Sequence, residues 1–149
     1  MSTKQELYNK CFQFIDNRME TVQNTIKDIQ KALTTETKSS AGDKHETGRA
    51  MLQLEREKAG NQFSEIKKVK EALFRVNIEK PSNIVVLGSI VFTNHANYFV
   101  SISAGELKIK DLTFYAISPA TPIAKKLLGK QKDDPISFRS STFVITKIL

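Results

Sequence analysis

The chain has few of the residues that mark secreted, disulfide-stabilised or membrane-spanning proteins. It has 149 residues and one cysteine, Cys11, so no disulfide can form within the chain, which favours a reducing compartment. No stretch approaches the ~18 apolar residues of a membrane-spanning helix. The first six residues contain no apolar run like that of a signal peptide. We therefore expect a cytoplasmic protein without a membrane partner.

The composition is that of a folded, basic protein. Hydrophobic residues make up 40% and charged residues 26% of the chain, which is ordinary for a globular domain. The formal net charge of +7 favours a nucleic acid, an acidic protein surface or anionic lipid as a partner. Cys11 lies among apolar residues, so we interpret it as a small buried hydrophobe and not as a nucleophile.

Proline is absent from the first half of the chain, where two long helices are predicted. Apolar residues recur at spacings of three and four over residues 4–33 and again over residues 43–76. The first stripe consists of Leu7, Cys11, Phe14 or Ile15, Met19, Val22, Ile26, Ile29 and Leu33, and the second of Leu52, Ala59, Phe63, Ile66 and Leu73. Residues 34–42 between them are polar. Two stripes joined by a short loop predict an antiparallel helical hairpin.

The predicted hairpin is a rod with an acidic tip. At ~1.5 Å per residue, a helix of roughly 30 residues is about 45 Å long. A rod with a polar, acidic tip is shaped to reach into a partner. We expect this hairpin to form a domain of residues 1–78, followed by a globular domain of residues 79–149.

The composition changes after residue 79, where Pro81 cannot continue a helix. Short runs rich in β-branched and aromatic residues follow, separated by turn residues. These predicted strands are residues 84–87, 89–93, 98–102, 112–117 and 141–145. One helical segment, residues 122–128, interrupts them and ends at Gly129. The expected fold class is α+β, with a small antiparallel sheet and one short helix after the hairpin.

Asp43 and Glu46 are the candidate site residues at the tip. Three residues apart at the head of a helix, their side chains fall on one helix face. One interpretation is structural, because an Asp N-cap with a Glu three residues later forms a capping box and suits the helix dipole. The other is functional, because two close carboxylates can hold Mg²⁺ together with ligands from a partner. Their spacing alone favours the structural interpretation.

Residues 121–130 form the second candidate segment. Thr121 as N-cap, Pro122 at the first helical position and Gly129 at the end specify a short helix. The segment is rich in lysine, at Lys125, Lys126, Lys130 and Lys132. A basic helix face is usually only solvated, and less often a contact surface.

These two segments carry a resemblance to a known family. Residues 121–130 read Thr-Pro-Ile-Ala-Lys-Lys-Leu-Leu-Gly-Lys and are followed by Asp134. They resemble the Ser-Pro-Ile-Gly-Arg-Ala-Leu-Leu-Gly-Lys signature near the C-terminus of the Gre-type transcript-cleavage factors (GreA/GreB). Gly42, Asp43 and Glu46 are similar to the Gly-Asp-x-x-Glu tip of that family. Both segments lie in the family's order and in the expected elements.

The resemblance implies a partner and a mechanism. In that family a globular domain, similar in fold to immunophilin-type prolyl isomerases, docks on bacterial RNA polymerase, and the hairpin enters the secondary channel. Carried over, Asp43 and Glu46 would help the polymerase hold a shared Mg²⁺ and orient the water that cleaves backtracked RNA near its 3′ end. Pro122, Ile123, Lys125 and Lys126 would contact the polymerase. The factor would hold no cofactor stably, use no small-molecule substrate and have no activity alone.

The chain departs from the family beside the two carboxylates. Arg49 stands where the family has a Glu, and Ala50 where it has a Tyr. The first change reverses a charge, and the second removes a side chain that could contact RNA. A second function is therefore open: a regulator that enters the same channel and inhibits the polymerase without stimulating cleavage.

Two further classes of function stay open. Prolyl isomerase activity uses an aromatic-lined pocket, and the absence of tryptophan from this chain counts against it. A coiled-coil adaptor with a β-rich binding module would need Asp43 and Glu46 only as helix caps. Mutation of these two residues would then leave transcription unchanged.

Overall fold

The computed structural model describes the backbone of residues 2–38 and 42–149, and the side chains of residues 2–35 and 47–149. Contacts divide the chain into two compact units. The sheet unit comprises the chain up to Phe14 together with Glu71–Leu149, and the helical unit is Ile15–Lys70. A compact unit is not necessarily a domain that folds alone, so the predicted domain boundary between residues 78 and 79 stays a prediction.

The two predicted long helices are confirmed. α1 is Thr3–Lys38 and α2 is Gly42–Phe74. The predicted loop at residues 34–42 was too long, because α1 continues through residues 34–38. Thr34 and Thr35 are accommodated in the helix because their hydroxyls donate to the carbonyl oxygens of Gln30 and Lys31, four residues back, at 3.0 and 3.1 Å. Within the described residues, no helix is long and apolar enough to cross a membrane.

Within the helical unit, α1 and α2 lie side by side and antiparallel. Asp16 Oδ1 is 2.7 Å from Lys70 Nζ, which joins an early position of α1 to a late position of α2. Further along, Ile29 and Ala59 line the same groove between the helices. Residue numbers on α1 therefore increase as those of the facing residues on α2 decrease, which is the antiparallel hairpin that the two apolar stripes predict.

The stripes account for the interior of the helical unit. Ile15, Ile29, Ala59 and Ile66 are buried. Other stripe residues are only half-buried: Met19, Val22, Ile26, Leu33, Leu52 and Phe63. Two helices without a third can cover only the seam between them, so side chains at the margins of each stripe keep part of their surface in water.

The sheet unit is built on a six-stranded sheet in the order β3-β4-β2-β1-β6-β5. The strands are β1 Ile90–Thr93, β2 Asn97–Val100, β3 Gly105–Ile109, β4 Leu112–Ile117, β5 Pro135–Phe138 and β6 Ser141–Ile148, and α3 is Pro122–Leu127. All neighbouring pairs are antiparallel except β2 and β4. That pair is parallel because β3 and β4 form a hairpin, and β4 inserts between β3 and β2. The predicted α+β class, with a mostly antiparallel sheet and one short helix, is confirmed.

Three details of the strand prediction were wrong. Residues 84–87 form no strand, only a single bridge between Ile84 and Gln131, because the chain turns at Leu87 and Gly88. β3 was not predicted, because residues 103–106 resemble a turn and hide the start of the strand. β5 was not predicted either, because it is short and begins with Pro135.

One face of the sheet is covered by α3. Ala124 and Leu127 of this helix are buried in a cluster with side chains from the sheet and the chain before it. The other members of the cluster are Val85, Val91, Val100, Ile117, Ile136, Phe143 and Ile145. Side chains alternate along a strand, so Ile90 and Phe99, which are also buried, point to the opposite face.

The ends of the two long helices supply buried side chains for that opposite face. Leu7, Cys11 and Leu73 are fully buried in the sheet unit. Cys11 Sγ lies 3.6 Å from the hydroxyl of Ser101, just after β2. The hydroxyl of Tyr8 donates to the carbonyl of Leu73 at 2.9 Å, which joins the two helix ends. The beginning of α1 and the end of α2 therefore belong to the core of the sheet unit.

Gly88 lies where the chain leaves α2 and enters the sheet. Its φ is +95°, a region that residues with a side chain rarely adopt. Its amide donates to the carbonyl of Val100 at 2.7 Å. A Cβ at this position would collide with the carbonyl oxygen of Asn77. Both the backbone conformation and the close approach therefore require glycine.

We expect Gly88→Ala to lower the free energy of unfolding by about 3 kcal/mol, through backbone strain and the collision with Asn77. Gly60→Ala is the matched control, because Gly60 lies inside α2 and an added Cβ meets nothing within 4 Å. That change should raise stability by about 1 kcal/mol. Urea denaturation of both variants measures the contrast, and equal effects would contradict the assignment.

The buried thiol of Cys11 should make stability depend on pH. Burial raises the pKa of Cys11 from 9.0 to about 11, and the hydrogen bond with Ser101 opposes this shift only in part. Between these values the unfolded chain binds fewer protons than the folded protein, so the stabilisation is complete below pH about 9 and is lost as pH rises through about 11.

The loss amounts to about 1.4 kcal/mol per pH unit where the two states differ by one proton. We expect the stability difference between wild type and Cys11→Ala to shrink between about pH 9 and about pH 11 in urea titrations. The alanine variant removes only the thiol, so it controls for other groups that titrate in this range. A difference that stays constant would show that Cys11 does not carry the effect.

Candidate functional site

Asp43 and Glu46 are the second and fifth residues of α2, which begins at Gly42. The prediction that they stand three residues apart at the head of a helix is therefore correct for the backbone. Their side chains lie outside the described part of the structure. Whether they act as a carboxylate pair or as helix caps stays a prediction.

The described side chains nearest this turn are polar or small. Thr47, Arg49 and Ala50 are exposed on α2, in the turn after Glu46. Arg49 follows Glu46 by three residues, a spacing at which helical side chains are neighbours. If the two carboxylates form the predicted pair, a guanidinium at this position would lower their negative potential.

Two large apolar side chains follow on the same helix. Met51 and Leu54 are 60% and 65% exposed, although both are of a kind that is usually buried. They are three residues apart and so lie on one face of α2. The described part of the helix beyond the candidate tip therefore presents an apolar patch as well as charge.

The lysine-rich segment forms α3 in the way that its end residues specify. Thr121 adopts an extended conformation and its hydroxyl oxygen accepts the amide of Ala124 at 3.3 Å. The same hydroxyl donates to the carbonyl of Ser118 at 2.8 Å. Pro122 occupies the first helical position, where its missing N–H leaves no bond unmade. The predicted N-cap and first turn are correct.

The end of α3 is fixed by hydrogen bonds to the segment before β1. Gly129 has a φ of +80° and its amide donates to the carbonyl of Val85 at 2.8 Å. The amide of Val85 in turn donates to the carbonyl of Lys130 at 2.9 Å. Val85 is itself buried, so the C-terminal end of α3 is held against the core. Within residues 84–87, where a strand was predicted, Val85 instead forms these hydrogen bonds to the chain that follows α3.

Exposed lysines surround α3. Lys125 and Lys126 lie in its last turn, where cations suit the negative end of a helix dipole, and Lys130 and Lys132 follow it. In the described chain, none of these four lysines has a carboxylate oxygen within 4 Å. Their charges are therefore available to an acidic partner.

The other two residues predicted to contact a partner differ in exposure. Pro122 is exposed, whereas Ile123 is only partly exposed and packs against the core cluster beneath α3. The surface of this segment is therefore a basic rim with a small apolar part. Asp134, which follows the segment, has a local structural role, because its carboxylate accepts the amide of Gln131 at 2.7 Å.

No cluster of three or more potential metal ligands occurs among the residues described. The carboxylates of Asp43 and Glu46 fall outside this statement. As donors they are of the right chemical kind, because Mg²⁺ prefers carboxylate oxygens and binds with one or two of them when a partner and water supply the rest. A stable site made by this chain alone is not expected from two carboxylates.

Among the charged pairs that the sequence prediction did not identify are Glu106 and Lys108 on β3. Their side-chain charges are 3.8 Å apart, and both side chains are largely exposed. Residues 105–109 alternate polar and apolar side chains, which is the signal of a half-buried strand. That signal is clear only once residues 103 and 104, which resemble a turn, are separated from it.

Comparison with known proteins gives matches only among solved structures. No protein-family model matches the chain, and no curated protein matches it. The chain is similar to GreA factor homolog 1 (Gfh1) of Thermus thermophilus, with 19% identity over 95% of this chain and 94% of that one, at a TM-score of 0.38. A second structure, of the transcription factor Gfh1, matches with 19% identity over 95% and 92% of the two chains, at a TM-score of 0.36.

Proposed function

We propose that this protein is a transcription elongation regulator that binds RNA polymerase. Its sheet unit binds the polymerase, and its helical hairpin enters the secondary channel. There Asp43 and Glu46 support Mg²⁺-dependent cleavage of backtracked RNA by the polymerase itself. The protein contributes ligands and has no activity alone.

The observation that supports this proposal is the position of the two family-like segments in the fold. The Gly-Asp-x-x-Glu segment begins the second helix of a helical hairpin. The other segment forms a capped helix with exposed lysines on a small sheet. Either segment alone has a structural explanation, as a helix start or a cover for the sheet. Their occurrence together, each in the element where the family carries it, supports a shared function.

The chemistry divides between this chain and its partner. In the complex, the shared Mg²⁺ would activate water and stabilise charge on the reacting phosphate. The role of Asp43 and Glu46 is to supply oxygen ligands and to orient a water molecule by accepting its hydrogen bonds. The role of Lys125 and Lys126 is to bind acidic groups at the docking surface. The carboxylates are carried by the helical unit, and the docking surface belongs to the sheet unit.

A second candidate is a regulator that occupies the channel without stimulating cleavage. Arg49 favours it, because the exposed guanidinium stands where the related family carries a carboxylate. Between exposed charges, where the effective dielectric constant approaches that of water, two unit charges 4 Å apart interact by about 1 kcal/mol. Reversing one such charge is enough to change the affinity of the tip for a divalent cation. Cleavage assays on stalled, backtracked elongation complexes distinguish the two functions.

We expect Asp43→Asn and Glu46→Gln each to abolish stimulated cleavage while polymerase binding stays nearly unchanged. The amides keep the size of the side chains but lose the negative charge that holds Mg²⁺. Glu20→Gln is the matched control, because it removes an exposed carboxylate from α1 and should leave cleavage unchanged. Arg49→Glu should strengthen cleavage by restoring an acidic side chain.

The capping interpretation makes the opposite prediction for Asp43. Asn caps a helix about as well as Asp, so Asp43→Asn would then be silent in both stability and cleavage. If the wild-type protein stimulates cleavage and Asp43→Asn stimulates it equally well, the metal role of Asp43 is contradicted. Wild-type protein that binds polymerase and blocks both cleavage and nucleotide addition would establish the regulator instead.

We expect the double change Lys125→Glu with Lys126→Glu to weaken binding to RNA polymerase about tenfold, because exposed charge pairs contribute up to about 1 kcal/mol each. Raising the salt concentration should weaken wild-type binding more than variant binding, since ions screen exposed charges. Pull-down or fluorescence titration at moderate salt measures both.

Lys110→Glu in the turn between β3 and β4 is the control for this change. It alters the net charge of the sheet unit in the same direction, but at the edge of the sheet away from β5, on which α3 packs. Equal weakening by the control would mean that overall charge, and not the surface of α3, determines binding. Absence of any polymerase binding by wild type at moderate salt would exclude the proposed function.

A further inference from the structure

The strand β3 forms one edge of the sheet, with β4 on one side and no strand of the described chain on the other. The direction of its backbone groups follows from hydrogen bonds around β4. The carbonyl of Ile117 accepts the amide of Ser101, on the side of β2, at 2.8 Å. The carbonyl of Ala116 accepts the amide of Ala104, on the side of β3. Even-numbered residues of β4 therefore turn their backbone groups toward β3.

The register between the strands then identifies the free groups of β3. Gly105, Leu107 and Ile109 are the partners of the even-numbered residues of β4, so their backbone groups point inward. Because the direction alternates along a strand, the N–H and C=O groups of Glu106 and Lys108 point away from the sheet. These two residues offer both donors and acceptors to another strand.

The opposite edge of the sheet is partly protected from such pairing. On β6, the amide of Val144 donates to the side-chain oxygen of Asn94, and its carbonyl accepts the amide of Asn94, on the side away from β5. The β5 partner of Val144 is Pro135, which therefore faces outward. A proline at an outward position has no N–H to offer, a common protection of edge strands. β3 has no proline.

We propose that two copies of this chain associate through β3, antiparallel about a two-fold axis at Leu107. In this register Glu106 lies opposite Lys108 of the second copy, and Lys108 lies opposite Glu106 of that copy. All four residues face outward, so each pair exchanges two backbone hydrogen bonds. The two six-stranded sheets become one continuous sheet.

The side chains of β3 match this register. Glu106 and Lys108 lie on one face of the strand, and each is placed opposite a side chain of the other charge in the second copy. Leu107, half-buried on the other face, meets Leu107 of the second copy in a pair without backbone hydrogen bonds, where side chains approach most closely. A register shift of two residues, which moves the two-fold axis to Glu106 or Lys108 and keeps the same backbone groups facing outward, would place like charges opposite each other, so the charges also select the register.

The size of the contact predicts a weak dimer. β3 has five residues, and two paired edges of that length bury less than the about 1,600 Å² of a standard interface. We expect a dissociation constant between about 10 µM and about 1 mM. α3 packs on β5, at the opposite edge, so association leaves its lysines exposed. The proposal therefore goes beyond the transcription role and does not depend on it.

Sedimentation velocity of the whole chain, from about 1 µM to about 1 mM, tests the association. We expect the average mass to rise from monomer toward dimer. Amide exchange measured by NMR tests the register. The amides of Glu106 and Lys108 should gain protection as concentration rises, whereas those of Leu107 and Ile109 are already bonded within the sheet and should not change.

Charge variants test the pairing itself. Glu106→Lys and Lys108→Glu each place like charges opposite each other and should weaken self-association about tenfold. An equimolar mixture of the two variants should associate at least as strongly as wild type, because each variant complements the other. Lys130→Glu, in the segment between α3 and β5, is the control and should leave association unchanged.

Two results would overturn the proposal. One is a wild-type protein that stays monomeric at about 1 mM, which would leave the edge open to an extended strand of another protein. The other is a dimer that both charge variants leave intact, or that the mixture does not restore. Lys108→Pro removes an outward N–H in the manner of Pro135 and should abolish the dimer. If that variant does not fold, the charge variants still decide.

Discussion

A sheet with two apolar faces needs a cover on each, and this requirement governs the rest of the structure. The helix α3 covers one face through Ala124 and Leu127. The other face receives the ends of α1 and α2, where Leu7 and Leu73 are as fully buried as Phe99 in the sheet. The beginning of α1 and the end of α2 are therefore parts of the same core. Their remaining residues, Ile15–Lys70, form the helical unit, in which the described parts of α1 and α2 pack against each other.

This division explains why burial differs so much along one helix. In the sheet unit, a helix residue meets a broad apolar surface and can be enclosed on all sides. In the helical unit a helix residue packs against the other long helix, so only the surface between the two helices is buried. Residues such as Val22 and Phe63 stay half-buried. A hairpin of this kind gains little stability from packing per residue, and its polar faces remain free for a partner. Such a structure suits the proposed role of Asp43 and Glu46 in a site made by another protein.

The parts of the fold that the sequence predicts are those with strong local signals. The period of the apolar stripes predicts both long helices, and Thr121, Pro122 and Gly129 predict α3 because each residue has one preferred position at a helix end. Strand β4 has the same bounds in prediction and structure. The segment at residues 84–87 was misassigned because an apolar run does not reveal that Gly88 turns the chain. Whether such a run pairs with a strand or with the end of a helix depends on tertiary contacts.

The candidate sites differ in the same way. The positions of Asp43 and Glu46 at the head of α2, and of the lysines on α3, follow from local sequence. The edge position of Glu106 and Lys108 does not, because it depends on β4 inserting between β3 and β2. The order of strands is a property of the whole sheet, and no residue near β3 encodes it. The exposure of Ile123 was also beyond local reasoning, since it is set by the core beneath α3.

The burial of Cys11, the one cysteine of the chain, has a practical consequence. Its sulfur is buried, and its raised pKa keeps it as an unreactive thiol near neutral pH. A cysteine introduced at an exposed position, such as Glu20 or Ser137, would therefore react with maleimide or a spin label while the native residue stays unmodified. Pairs of such labels on the two units would report distances between them in solution. The native protein needs no cysteine-free background for that measurement.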